Sequence, residues 1–273
     1  PIGVAGIVLI EKFIEDVRTE VRAAFDWLGF ILLGYGVGAM VYGMDLLAQE
    51  PGPASVLFLA TGALALIFYL LHARKSEEPI LQLDLLRVHT FSSTVFAGSL
   101  FRIGVGANPF LLPLMLQTGF GYTPIHSGIV TCMSAVGAFG MRTMAQRVLR
   151  RFGFRAVLVW NGILSAVLLG LCGLFKPDTA QSIMIALVFI GGVTRSLQFT
   201  ALNAFAYADV EEKDMSHATT LQQMAQRISM SLGIALAAVI LHLYSNAGGQ
   251  VPVNAFATAF FVIGVLCFAP SFS

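Results

Sequence analysis

Apolar runs long enough to cross a bilayer recur along the chain, separated by short segments where the charges gather. Three of them read FDWLGFILLGYGVGAMVYGM (25–44), PGPASVLFLATGALALIFYLL (51–71) and HATTLQQMAQRISMSLGIALAAVILHL (217–243). About 20 predominantly apolar residues suffice for a helix that spans the hydrocarbon core. The pattern predicts the end of a helix over 1–10, then spans at 25–47, 53–72, 91–115, 126–146, 156–175, 181–205, 218–243 and 253–270. Strands of a membrane barrel would alternate over ~10 residues, and no such alternation occurs. The expected fold is therefore an all-α polytopic membrane protein.

Composition sharpens this. Hydrophobic residues make up 57% of 273 positions and charged ones only 11%, with a mean hydropathy of +0.81. A soluble domain has ~25% charged residues, so the shell a water-facing surface needs is missing. The net charge of +1 gives no reason to expect a nucleic-acid partner. The chain starts at Pro1 within an apolar run, with no signal peptide, and reads as a piece of something longer. Cys132, Cys172 and Cys267 fall in apolar spans without pairing or metal spacing and are expected to pack.

The placement of cations sets an orientation. Lys12, Arg18, Arg22, Arg74, Lys75, Arg87, Arg147, Arg150, Arg151, Arg155 and Lys213 fall in one set of connections, whereas the opposite set holds only Lys176. Lysine and arginine concentrate in cytoplasmic loops, so the first set is assigned to the cytoplasm. That makes 11–24 and 73–90 cytoplasmic linkers and QRVLRRFGFR (146–155) a basic cytoplasmic turn. The last six spans form two groups of three, with arginines in the first two members of each group. This is a faint form of the inverted repeats on which many transporters are built.

Four arginines remain within spans. Arg142 lies about one turn from a cytoplasmic end and can snorkel to the interface; Arg227 lies deeper. Arg102 and Arg195 stand close to mid-span, where a charge costs about 2.5–3.5 kcal/mol on insertion scales. Such groups should face a bundle interior or a wet cavity. None of the fifteen carboxylates lies near the middle of a span, so the chain supplies deep positive charge without deep negative charge.

Uncharged polar residues accompany them. Gln198 follows Arg195 by three residues, on the same helical side. Gln222, Gln226, Ser229 and Gly233 form one stripe, and Gln223, Arg227 and Ser231 an adjacent one. Such stripes line cavities or join packed helices. Asn108 sits among Gly104, Gly106, Pro109 and Pro113, a run that should bend or loosen its helix. Gly34 and Gly38 form a G-x-x-x-G pair, read as a close helix contact. The candidate cavity residues are thus Arg102, Asn108, Arg195, Gln198, Gln222, Gln226 and Arg227.

Enzymatic signatures are lacking: there is no Walker loop, H-E-x-x-H or G-x-S-x-G. The five histidines are scattered, mainly at span ends, and the chemistry is not expected to need a metal or cofactor.

A resemblance rests on segments taken in order: PIGVAGIVLI, FDWLGFILLGYGVGAMVYGMD, EPILQLDLLRVHTF, FRIGVGANPFLLPLMLQTGFGYTPIHSG, RVLRRFGFRAVLVWNGIL, RSLQFTALNAFAYADV and MAQRISMSLGIALAAVIL. Their succession resembles the fourteen-span drug:proton antiporter branch of the major facilitator superfamily over essentially the whole chain. The resemblance implies that 1–10 ends a sixth span, 25–72 forms two extra helices joining the halves, and 91–273 is a C-terminal six-helix domain. It further implies a multi-pass protein of the bacterial inner membrane, powered by a proton gradient, that exports amphipathic small molecules. The helices bearing Arg102 and Arg195 would line the central cavity. Those bearing Arg142 and the Gln222, Gln226 and Arg227 stripe would meet the other half.

The family's gating turn, G-x-x-x-D-[RK]-x-G-[RK], is altered here. Gln146 replaces its glycine and Arg150 its aspartate, which leaves Arg151, Gly153 and Arg155 beside Arg147. The proton-binding carboxylate of such families lies in an N-terminal six-helix half, the expected partner together with lipid and substrate, so this chain alone should not transport. Two other readings stand beside this one: a structural assembly half in which the arginines only pair helices, and an anion-conducting pathway.

Overall fold

The computed structural model of the chain describes residues 26–49, 52–76, 81, 83–244 and 252–268. The stub at 1–10 and the linker at 11–24 lie outside them. Eight helices follow in order: α1 Trp27–Gln49, α2 Pro53–Ala73, α3 His89–Leu114, α4 Pro124–Phe152, α5 Phe154–Cys172, α6 Gln181–Ala206, α7 Met215–Tyr244 and α8 Val253–Phe268. The first seven are long and apolar enough to cross a membrane, and α8 is a shorter apolar helix. No strand occurs among the described residues.

Helix α3 is the hub. It packs against α7, α8 and α6, while α4 lies along α6 and α5 against α8 and α6. The main core gathers Phe101, Leu111 and Met115 of α3 and its extension with Met184 of α6 and Phe256, Phe260 and Ile263 of α8, all sealed from the surroundings. Without a strong hydrophobic drive between helices in lipid, close backbone approach at small residues carries much of the packing. Three contacts show it. A Cβ at Gly106 of α3 would lie 2.6 Å from the Met230 Cα of α7, one at Gly233 of α7 would strike the Ile103 carbonyl, and one at Gly192 of α6 would strike the Ser134 carbonyl of α4.

The hairpin of α1 and α2 docks on α7 through α1. Its seam corrects one expectation. Gly34 and Gly38 have nothing near a would-be Cβ, whereas Gly36 meets Leu66 and Gly43 meets Leu59. The inner face of α1 carries Leu33, Gly36 and Gly43, all buried, with Met40 half-buried between them, a three-to-four step that passes between Gly34 and Gly38 and leaves both exposed. At the basic end of the hairpin, the Asp26 carboxylate lies 2.8 Å from His72 Nε2, and the Tyr69 hydroxyl accepts the Leu81 N–H at 2.8 Å.

Two features depart most from the sequence reading. Helix α4 continues to Phe152 rather than stopping near 146, so Arg147, Arg150 and Arg151 are helical and the expected ten-residue turn shrinks to Gly153. Arginine and leucine are good helix formers, and cations are favoured in a last turn. Gly153 ends the helix with a φ of +79°, a conformation glycine adopts readily. In α3 the prolines at 109 and 113 do not interrupt the helix; the irregularity comes after them, as a π-helical turn over Met115–Gly119.

Candidate functional site

The two mid-span arginines both sit inside the bundle, each between α6 and a neighbour. Arg102 belongs to the inner face of α3 that also carries Phe91, Val95 and Gly98, and it is completely buried. Its side chain runs back along its own helix, as helical side chains do. Nη1 meets the Thr94 carbonyl and Nη2 meets Asn203 Oδ1 of α6, each at 3.5 Å, at the limit of a hydrogen bond. The Nε atom has no partner.

Arg195, half-buried on α6, takes the opposite side. Its Nε donates to the Gly191 carbonyl one turn back at 3.1 Å, and Nη2 donates to the Ser134 hydroxyl of α4. This is possible because Gly192 brings the two helices into backbone contact beside it. Ser196 adds a bond to the Ala138 carbonyl at 2.9 Å. Arg195 and Asn108 also border a void of about 20 Å³ between α3, α5 and α6, next to Ser165, whose buried hydroxyl has no partner. Neither arginine has a carboxylate within ion-pair distance among the described residues; the Asp26–His72 and Asp84–Arg87 pairs lie elsewhere.

Gln198 lies three residues beyond Arg195 but serves a different neighbour. Its Nε2 donates to the Leu158 carbonyl of α5 at 3.0 Å, and its Oε1 accepts from Asn161 Nδ2 at 2.8 Å. Asn161 also reaches the Thr194 carbonyl at 2.8 Å. This paired amide sits where α5 has a π-helical turn, Val157–Asn161, which offers side chains and carbonyls to α6 that a regular helix would keep to itself. Asn161 was not singled out from sequence. A lone amide in VLVWNGIL was the available signal.

The α7 stripes separate. Gln222, Ser229 and Gly233 are buried against the bundle, Gln226 is half-buried, and Gln223 and Arg227 are exposed. Gln222 is 1% exposed, yet neither amide atom has a partner. Of the basic group at the α4–α5 junction, Arg147, Arg150, Arg151, Gly153 and Arg155 are all exposed, as is Arg142 higher on α4. The Arg151 guanidinium lies over the Phe152 ring, 5.8 Å from its centre.

A cavity of about 1060 Å³ opens between the first turns of α3, the α4–α5 junction, α6 and the end of α8. Gln198, Gly153 and Arg155 line it, with Phe101, Trp160 and Leu202 among its apolar walls, whereas Arg102 is not among them and Asn108 and Arg195 border the small void instead. The sequence candidates therefore fall on four surfaces: the inter-helix interior, this cavity, the exposed face of α7 and the exposed end of α4 with Arg147, Arg150 and Arg151.

Comparisons with known proteins agree with this architecture. The model of the Major Facilitator Superfamily matches residues 94–270. MdtD of Pectobacterium atrosepticum, a protein whose name assigns it to multidrug resistance, is 31% identical over 248 residues, which is 90% of this chain and 53% of that protein. MdtD of Escherichia coli (strain CFT073) is 31% identical over 253 residues, covering 90% and 52%. The chain thus spans about half the length of the curated relatives it matches. Among solved structures, the nucleoside transporter NupG superposes with a TM-score of 0.54 at 15% identity, over 87% of this chain and 64% of that one, a likeness of fold. With seven spans of membrane length, α8 and relatives in bacteria, this is a multi-pass protein of the bacterial inner membrane. By its helices, its matched model and its relatives alike, the chain belongs to the Major Facilitator Superfamily.

Proposed function

We propose that the whole protein is a secondary active transporter that exports amphipathic small molecules in exchange for protons, and that this chain supplies its C-terminal half. The observation that carries the reading is the pair of guanidinium groups, Arg102 and Arg195, held inside the bundle without a carboxylate among the described residues. A fixed charge at that depth is tolerable beside water, substrate or an opposing anion. A half-transporter that meets its counter-charge across a shared cavity gives it one. The relatives named for multidrug resistance support an amphipathic substrate class.

In this reading α3 and α6 line the path, and the exposed face of α7 bearing Arg227 meets the other half. The two halves rock about the substrate site in alternating access. The proton-binding carboxylate comes from the other half, so this chain alone is inactive. Energy comes from the proton gradient, and no cofactor takes part.

The test is reconstitution of the full-length protein in liposomes with an imposed pH gradient, following a fluorescent amphipathic cation and internal pH together. Substrate movement matched by opposite proton movement, and abolished by an uncoupler, supports the proposal. Conductive flux of inorganic anions without substrate exchange would point to an anion pathway, and no flux of either kind to a structural role.

A further inference from the structure

The 1060 Å³ cavity is walled mainly by apolar side chains of α3, α5 and α6. Two outward apolar stripes border it. On α5, Trp160, Leu164, Val167 and Leu171 are exposed at steps of four, three and four; on α8, Phe261, Val265 and Phe268 are exposed at steps of four and three. In a membrane helix such faces meet acyl chains. Trp160 belongs both to the α5 stripe and to the cavity wall, and Cys267 of the wall adjoins Phe268 of the α8 stripe. The mouth is therefore framed by lipid-facing side chains.

The interior is apolar, with Phe101, Leu158, Leu202 and Phe205 on its walls, but the rim is not. His89, Ser93 and Arg155 stand there, and Arg147, Arg150 and Arg151 occupy the same end of the molecule, the end that the cation asymmetry assigns to the cytoplasm. Residues 146–160 contain four arginines and no carboxylate. Basic pockets between helices on the cytoplasmic side suit anionic lipid headgroups. The volume of about 1060 Å³ is at the upper end of the ~300–1,000 Å³ common for ligand pockets, enough for part of an acyl chain.

We propose that this cavity binds an anionic glycerophospholipid of the cytoplasmic leaflet, with its phosphate at the Arg155 and His89 rim and an acyl chain along Phe101 and Leu202. The inference does not depend on whether the whole protein transports. Its consequence is mechanical: the lipid would wedge between α3, α5 and α6 beside the Asn161–Gln198 pair.

The experiment uses the full-length protein in nanodiscs of phosphatidylethanolamine and phosphatidylglycerol, with retained lipid counted by native mass spectrometry after extraction. The wild type should keep phosphatidylglycerol in preference to phosphatidylethanolamine. Arg155→Gln should weaken that retention about fivefold, the effect of one cation near an anionic surface. Ala97→Trp, which fills the cavity from α3, should abolish it. Lys176→Gln, on an exposed cation of the opposite set of connections, should leave it unchanged. Equal retention of both lipids, unchanged retention in Arg155→Gln, or no lipid held by the wild type because another segment seals the mouth would each overturn the proposal. Arg155 is exposed, so its variant decides the matter even where Ala97→Trp fails to fold.

Discussion

Arg195 of α6 donates to the hydroxyl of Ser134 on α4 at the place where the two helices come into backbone contact, at Gly192. The close approach and the half-buried cation are one arrangement. Gly192 lets the backbones meet beside the guanidinium and its Ser134 oxygen.

Gly192→Ala should therefore destabilise the full-length protein by about 1–3 kcal/mol, the usual range for overpacking. Gly191→Ala is the control, because nothing lies near a Cβ there and alanine favours the helix by about 0.5–1 kcal/mol. Thermal unfolding in detergent separates them. Equal melting temperatures would show that the α4–α6 approach is looser than described.

The Asn161–Gln198 pair predicts non-additivity. Removing Asn161 leaves the buried Gln198 Oε1 without its donor, and removing Gln198 leaves Asn161 only the Thr194 carbonyl, at about 1–3 kcal/mol for an unsatisfied buried group. Replacing both with leucine should cost less than the sum of the singles. Coupling within membrane proteins averages about 0.6 kcal/mol and reaches about 1.7. A double-mutant cycle measured by unfolding in mixed detergent reads the value, and zero coupling would dissolve the pair.

Gln222 gives an opposite sign. Its amide is buried and unpartnered, so Gln222→Met should stabilise the protein by about 1–3 kcal/mol, the penalty of an unsatisfied group. If the amide is retained for transport, efflux should fall as the melting temperature rises, the trade expected at functional sites. A destabilised variant would mean that Gln222 has a bonded partner in the intact protein.

Asp26 predicts a pH dependence. Burial pushes its carboxyl up, but the Gly29 N–H and the His72 ring together outweigh this and hold it below the ordinary carboxylate range. A depressed native pKa stabilises fully above the unfolded value of about 3.9. The contribution fades as pH falls further, through the native pKa. Melting temperatures recorded below pH 5 should drop more steeply in the wild type than in Asp26→Asn, and parallel profiles would contradict the pairing.

Depth and charge were legible in the sequence because hydropathy and span length depend on order along the chain. That put Arg102 and Arg195 mid-span, whereas Arg142, read as one turn from an end, stands further from the end of the longer helix α4, which runs on to Phe152. Which neighbour each meets depends on helix rotation, which a three- or four-residue step leaves ambiguous. The same step that places Gln198 beside Arg195 sends one to α5 and the other to α4. Gly34 and Gly38 failed for that reason, since the seam runs through Gly36 and Gly43. The π-helical turn at Val157–Asn161 could not be read at all, because it depends on the α6 groups that accept what it offers.

The central claim is that a guanidinium held inside the bundle serves proton-driven movement of substrate and not merely the packing of α4 on α6. Arg195→Ala and Arg195→Lys in the full-length protein, assayed for membrane abundance, melting temperature and pH-gradient-driven efflux, test it most directly. The account predicts at least a tenfold loss of efflux in Arg195→Ala, normal abundance, and partial recovery in Arg195→Lys, which keeps the charge but loses the forked donor. Efflux at the wild-type rate in Arg195→Ala would contradict it.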